Sequence, residues 1–201
     1  MKNILLYLFF VTFFGSCNIG FEKVTNSPII NISKQGIITL KDGTTRSIPD
    51  FNTPDVLVLF IVRHAERQIV TDNSNPDLTE AGHQRAVQLS KILQNIRFEK
   101  AVTSSTTRAI ATADPLRNAQ GGIPIETYTT DQQEQVAKEL IKRQKGKNIL
   151  WVGHSNTIPK LLNFLAQENK YQNDIPDDEF DNFYIVTIRQ IGEIKILKKR
   201  Y

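Results

Sequence analysis

The run Val56-Leu57-Val58-Leu59-Phe60-Ile61-Val62 constrains the fold of this chain most. An unbroken stretch of branched and large apolar residues reads as a strand buried on both faces, not one that alternates between core and water. Such a strand needs a layer of helices above and below it, and the following sequence supplies them. Leu78-Thr79-Glu80-Ala81-Gly82 opens a helix with Ala86, Leu89, Ile92 and Leu93 on one stripe. Lys100–Thr103 reads as a short strand and Arg108–Ala119 as a helix, with Pro115 predicting a kink or an early end. Ile123–Tyr128 reads as a strand and Gln132–Lys145 as a helix carrying Val136, Leu140 and Ile141 inward. Asn148–Val152 is a strand and Thr157–Ala166 a helix, and Phe183–Ile188 with Glu193–Leu197 forms a hairpin around Gly192. The alternation predicts an α/β fold, a three-layer sandwich with a mostly parallel central sheet and helices on both faces. Ligands in such sheets sit at the carboxyl ends of the strands.

The N-terminal part reads differently. Met1-Lys2-Asn3 is a short positive start, Ile4–Phe14 is unbroken apolar sequence, and Gly15-Ser16-Cys17 follows. That order is the order of a secretory signal peptide over residues 1–16. The apolar stretch is too short to span a bilayer comfortably. Cys17 is the only cysteine, so no intramolecular disulfide can form. Its place after Gly-Ser resembles the lipobox of bacterial lipoproteins, with Phe14 where leucine is usual. The resemblance implies lipidation at Cys17 and an exported, membrane-anchored protein on a periplasmic or cell-surface face. Asn18 rather than aspartate follows the cysteine, which favours the outer membrane. Residues 17–54 then read as a tether and a small β appendage, with a hairpin of Ile29–Ile32 and Ile37–Leu40 about Ser33–Gly36. Residues 55–201 form the main domain. Net charge is +4 without a dense basic run, so nucleic-acid binding is not expected.

The chemistry is concentrated at strand ends. His64 lies just past the first core strand, Ser104, Ser105 and Arg108 just past the second, and Gly153-His154-Ser155 just past Asn148–Val152. The sheet therefore brings Arg63, His64, Arg108 and His154 to one edge. The third histidine of the chain, His83, falls in a helix and reads as a surface residue. Guanidinium forks bind phosphate oxygens bidentately and stay charged at any working pH. A neutral imidazole can attack phosphorus if its other nitrogen is held by an acceptor, usually a backbone carbonyl. A second histidine, when protonated, stabilises the charge of the transition state. Phosphoryl transfer is mostly positioning and electrostatics, so this set needs no metal or other cofactor.

Four segments carry a resemblance. Arg63-His64-Ala65-Glu66, Leu78-Thr79-Glu80-Ala81-Gly82, Ser104 to Thr112 with Arg108 at its centre, and Gly153-His154-Ser155 occur in the order of the histidine phosphatase superfamily, which includes the phosphoglycerate mutases. The resemblance implies a phosphoglycerate mutase-like fold and a phosphatase acting on small-molecule or protein phosphate monoesters. It implies that His64 is the phosphorylated nucleophile and that Arg63, Arg108 and His154 form the phosphate pocket. The family's proton donor is not clearly filled. Ser155 follows the second histidine where one branch has an acid, and the segment after the third strand offers Asp131, with Glu126 as the runner-up inside that strand.

Several residues have plainer readings. Ser104 either binds the phosphate or caps a helix. Glu66 and Arg67 pair with each other or with solvent. Trp151 reads as core. The acidic run Asp174–Asp181 reads as a solvated loop, since it lacks histidine and metal-ligand spacing. A mutase is disfavoured by the short chain between Arg108 and Ile123, and a non-catalytic phospho-ligand binder is the alternative of another class.

Overall fold

The structure is a computed structural model and describes residues 27–201. The expected signal peptide, Cys17 and the start of the tether lie outside the described residues. Three short strands come first: β1 (Ile29–Ile32), β2 (Ile37–Leu40) and β3 (Thr45–Ser47), an antiparallel meander. The expected hairpin turns at Gly36, whose φ of 78° suits a residue without a Cβ. Phe51 packs so close to Gly36 that a side chain there would have no room. Ile29, Ile32, Ile38 and Leu40 are buried in the same apolar cluster as one face of the main domain. The meander thus extends the main core.

Strand β4 (Leu57–Arg63) is buried at every residue. The alternation of a strand divides its side chains between two cores. Val58, Phe60 and Val62 face one cluster, and Leu57, Leu59 and Ile61 face the other. That division is why the sequence here is apolar without interruption. Phe60 meets the Phe98 ring edge-to-face at 5.2 Å and is fully buried, a contact set that stabilises the fold by about 1.5–3 kcal/mol.

The main sheet continues with β5 (Lys100–Ser104), β6 (Ile125–Tyr128), β7 (Asn148–Gly153), β8 (Asn182–Gln190) and β9 (Glu193–Arg200), in the order β6-β5-β7-β4-β8-β9. The first four strands of that order are parallel, β8 returns antiparallel to β4, and β9 pairs antiparallel with β8. Helices α1 (Glu80–Leu93) and α2 (Thr107–Ala119) cover the first cluster with Leu89, Ile92, Ala113 and Leu116. Helices α3 (Gln133–Arg143) and α4 (Thr157–Ala166) cover the second with Ala137, Leu140, Leu161 and Leu165. The predicted sandwich is present. Among the described residues no helix is long and apolar enough to cross a membrane.

Local differences have local causes. Pro115 does not end α2, which runs on to Ala119. Strand β6 starts at Ile125, two residues late, after Gly121 and Gly122 turn the chain at positive φ. Helix α3 is preceded by a 3₁₀ turn, Thr130–Gln132, closed by a reciprocal bond pattern between Thr129 and Gln132.

Candidate active site

Parallel pairing fixes the site first. Arg63 at the end of β4 is in register with Gly153 at the end of β7, and His64 N–H donates to the Gly153 carbonyl at 2.9 Å. The His64 and His154 rings lie edge to face, 5.2 Å between centroids. His64 is 4% exposed, and its Nδ1 lies 2.8 Å from the Ala65 carbonyl. A carbonyl only accepts, so Nδ1 carries the proton and Nε2 keeps the lone pair. Burial, opposed by that hydrogen bond and reinforced by His154, Arg108 and Arg63, pulls the His64 pKa down to about 3. The imidazole is therefore neutral at ordinary pH.

The loop after His64 is held from three sides. Ala65 N–H donates to the Thr112 hydroxyl at 3.0 Å, and that hydroxyl donates to the Arg108 carbonyl at 2.7 Å. Glu66 C=O accepts from Thr79 N–H at 2.8 Å, while Thr79 Oγ1 caps α1 by accepting from Gly82 N–H at 3.0 Å. Gly82 touches the Glu66 backbone so closely that a Cβ would collide with it. Arg85, one turn further along α1, grips the Glu66 carboxylate with Nε at 2.9 Å from both oxygens. Glu66 thus pairs with Arg85 rather than with Arg67 or solvent. Its work is to fix the loop.

The second corner is built around His154. Its N–H donates to Thr157 Oγ1 at 2.9 Å, and its Nε2 lies 2.7 Å from the Ser104 hydroxyl. A Cβ at Gly153 would lie 3.1 Å from Thr157 Oγ1 and Ile158 Cγ1, a tight fit beside the residue that holds His154. Burial, then Arg108 and Arg63, hold the His154 pKa down at about 4. Ser104 does not cap α2. Asn75 does, its Oδ1 accepting from Thr107 N–H at 2.9 Å. Trp151 is core as expected, donating to the Tyr128 hydroxyl at 3.0 Å.

Two arginines complete the cluster. Arg63 is 5% exposed, and its Nε is buried without a partner, as are Nε and Nη1 of Arg108. Burial and the nearby Arg67 and Arg63 charges lower the Arg108 pKa. Burial also lowers that of Arg63, with Asp177 opposing. Buried N–H groups of a cation without acceptors, set beside two neutral imidazoles, make a pocket short of negative charge. Among the described residues no three His, Cys, Asp or Glu side chains come together as a metal site.

The expected proton donors are not brought into this cluster. Glu126 lies in β6 and pairs with Lys100 on the neighbouring strand at 2.9 Å. Asp131 is exposed in the 3₁₀ turn, where its carboxylate accepts from Thr129 Oγ1 at 2.6 Å. That hydrogen bond lowers its pKa, the reverse of what a proton donor needs. His83 is half exposed beside Asp77, as a surface histidine should be. The acidic run is a loop whose Asp174, Asp177 and Asp178 side chains are exposed, as expected, but its backbone has a further use, because buried Arg63 recruits its carbonyls. Arg63 Nη1 donates to the carbonyls of Pro176 at 2.8 Å and of Asp177 and Glu179 at 3.2 Å. Phe180 stacks on the same guanidinium at 4.2 Å and lies 6.2 Å from the His64 ring. Sequence reasoning missed Phe180, Thr157 and the work of Thr112. Only Thr112 left a signal, standing one helical turn after Arg108.

Residues 59–131 match the profile of the histidine phosphatase superfamily (branch 1). The match covers Arg63, His64 and Arg108. No curated protein matches the chain. Among solved structures, the chain is similar to the protein histidine phosphatase SixA complexed with tungstate, at 17% identity and a TM-score of 0.58, over 71% of this chain and 96% of that one. It is similar to a mycobacterial glucosyl-3-phosphoglycerate phosphatase at 13% identity and a TM-score of 0.57, over 73% of this chain and 98% of that one. A phosphoglycerate mutase from Bacillus anthracis matches at 16% identity and a TM-score of 0.56, over 73% of this chain and 93% of that one. At these identities the likeness shows a common fold.

Proposed function

We propose that this chain is an enzyme of the histidine phosphatase superfamily, hydrolysing phosphate monoesters through a phosphohistidine at His64. The observation that carries the reading is the set of buried, unpartnered guanidinium N–H groups on Arg63 and Arg108 beside a neutral His64 whose Nδ1 is committed to the Ala65 carbonyl. The family match and the phosphatases among the structural neighbours support phosphate esters as the substrate class.

In this mechanism the phosphoryl dianion takes the place that the two arginines leave open. His64 Nε2 gives its lone pair to phosphorus, and the bond from phosphorus to the alcohol oxygen breaks. Neither Asp131 nor Glu126 is held in the cluster, so the leaving oxygen draws its proton from water. Burial first and then the Arg108 and Arg63 charges keep His154 neutral; a bound dianion offsets those charges and favours the protonated ring, so that His154 can take a proton and donate to an equatorial oxygen. Water next attacks phosphorus, the N–P bond returns its pair to Nε2, and inorganic phosphate leaves. Hydrolysis is favoured over mutase transfer because α2 runs straight through Gly121-Gly122 into β6, with no inserted segment to enclose a second substrate group.

The test is phosphate release from an aryl phosphate by residues 18–201, with His64→Ala alongside and a chelator in parallel. Aryl leaving groups need little acid assistance, so the absent donor cannot hide the nucleophile. Chelator-resistant turnover that His64→Ala abolishes is expected. Folded protein that binds phosphate without turnover would replace the enzyme with a phospho-ligand binder. We also propose export and lipid anchoring at Cys17. The expected result is that Cys17→Ser moves the protein from the membrane to the soluble fraction, and an unchanged membrane fraction would refute the anchor.

A further inference from the structure

Segment 175–181 joins the two corners of the site. At one end Ile175 is buried in the second core cluster, and its N–H donates to the Ser155 carbonyl at 3.1 Å, next to His154. At the other, Asp181 and Glu179 are tied to β9 through Arg200, at 2.6 and 3.3 Å, and Glu179 accepts from buried Asn182 at 2.8 Å. Between these anchors the chain wraps Arg63.

The way it wraps matters. A guanidinium has two ends and two faces. Three carbonyls take Nη1, and the Phe180 ring covers one face at 4.2 Å. Nε remains buried without a partner. Nη2 faces the fully exposed Asp177 carboxylate at 3.6 Å. Nε and Nη2 form the side-on edge of the fork, the edge that grips two oxygens of one oxyanion. The segment therefore takes up Nη1 and one face of Arg63 and leaves Nε open, while on Nη2 it sets only the solvent-exposed Asp177 carboxylate, at the long distance of 3.6 Å, which an oxyanion can displace into water.

Resting on the phosphatase reading, we propose that segment 175–181 is a positioning strap and that Phe180 is a positioning residue for phosphoryl binding, acting through Arg63. A ring on the guanidinium face removes the rotation about the side chain that carbonyl contacts at one end would still permit. Preorganisation of this kind strengthens binding by reducing the freedom lost when the ligand arrives.

The experiment is a double-mutant cycle over Phe180→Ala and Arg63→Gln, with Phe180→Tyr as the conservative variant and folding checked by circular dichroism. Two quantities are read for each protein: kcat/KM on an aryl phosphate, and the affinity for inorganic phosphate by isothermal titration. Phe180→Ala is expected to lose about tenfold in both. Phe180→Tyr should stay within about twofold, since it keeps the ring. In the Arg63→Gln background Phe180→Ala should cost almost nothing more, because a residue acting through Arg63 has nothing left to act on. Equal losses in both backgrounds would overturn the strap, as would a folded Phe180→Ala protein with normal constants. If Phe180→Ala does not fold, Phe180→Leu replaces it, keeping apolar bulk without the ring. A wild-type chain that binds phosphate without releasing it would refute the phosphatase reading while the affinities still test the strap. One that does neither overturns both.

Discussion

Thr112→Val tests whether the His64 loop is held from α2. The Thr112 hydroxyl is the acceptor for Ala65 N–H at 3.0 Å, and Ala65 C=O in turn receives His64 Nδ1. Valine matches threonine in shape and in its stiff χ1, so no cavity is made and no clash introduced. What changes is one buried N–H, which loses its acceptor at a residue with 0% exposure. An orphaned buried donor costs about 1–3 kcal/mol. In a chain of this size each kcal/mol lowers Tm by about 2–4 °C, so a fall of roughly 2–12 °C is expected. Activity should fall with it by about tenfold, because the peptide that orients the nucleophile can now rotate. Thr112→Ser keeps the hydroxyl and both of its bonds, and should stay close to wild type in both readings. The measurements are thermal unfolding and kcat/KM on an aryl phosphate. A valine variant with unchanged Tm and activity would refute the reasoning, as would a serine variant that fails equally.

Two further outcomes follow from the same geometry. The His64 and His154 pKa values, about 3 and about 4 against an ordinary 6.5, mean that the unfolded chain binds more protons than the folded one below pH 6.5. Stability is complete above that pH and is lost as pH falls through it toward 4, at about 1.4 kcal/mol per pH unit for each histidine. Urea midpoints at pH 7 and 5 should therefore differ clearly, His154→Gln should shrink the gap, and equal midpoints in the wild type would contradict the burial argument. Gly82→Ala forces a Cβ against the Glu66 backbone and should cost about 1–3 kcal/mol, with loss of activity. An active alanine variant of unchanged Tm would show that α1 does not pin the loop.

The sandwich and most of the cluster could be read along the chain because their causes are local. Apolar runs in β4 and β7, the stripe on α1 and the turn at Gly36 express periodicity and backbone freedom within a few residues. Parallel strands send their carboxyl ends to one edge, so motifs following β4, β5 and β7 had to meet there. That is how Arg63, His64, Arg108 and His154 could be assigned to one pocket from the amino-acid order.

Other features depend on partners far away in the chain. Arg63 and the Pro176 carbonyl are 113 residues apart, and nothing near Asp174–Asp181 signals that a buried guanidinium needs its carbonyls. The meander is a small sheet of its own ahead of the main one, but its isoleucines do not reveal along the chain which core they enter. Asp131 and Glu126 looked able to donate a proton because a carboxylate's identity says nothing of its bonds to Thr129 or Lys100. Local pattern decides which elements form and which ends carry chemistry, since hydrogen bonding and side-chain alternation act between near neighbours. Only the folded chain decides which buried cation meets which acceptor, because that demand arises when water has been removed.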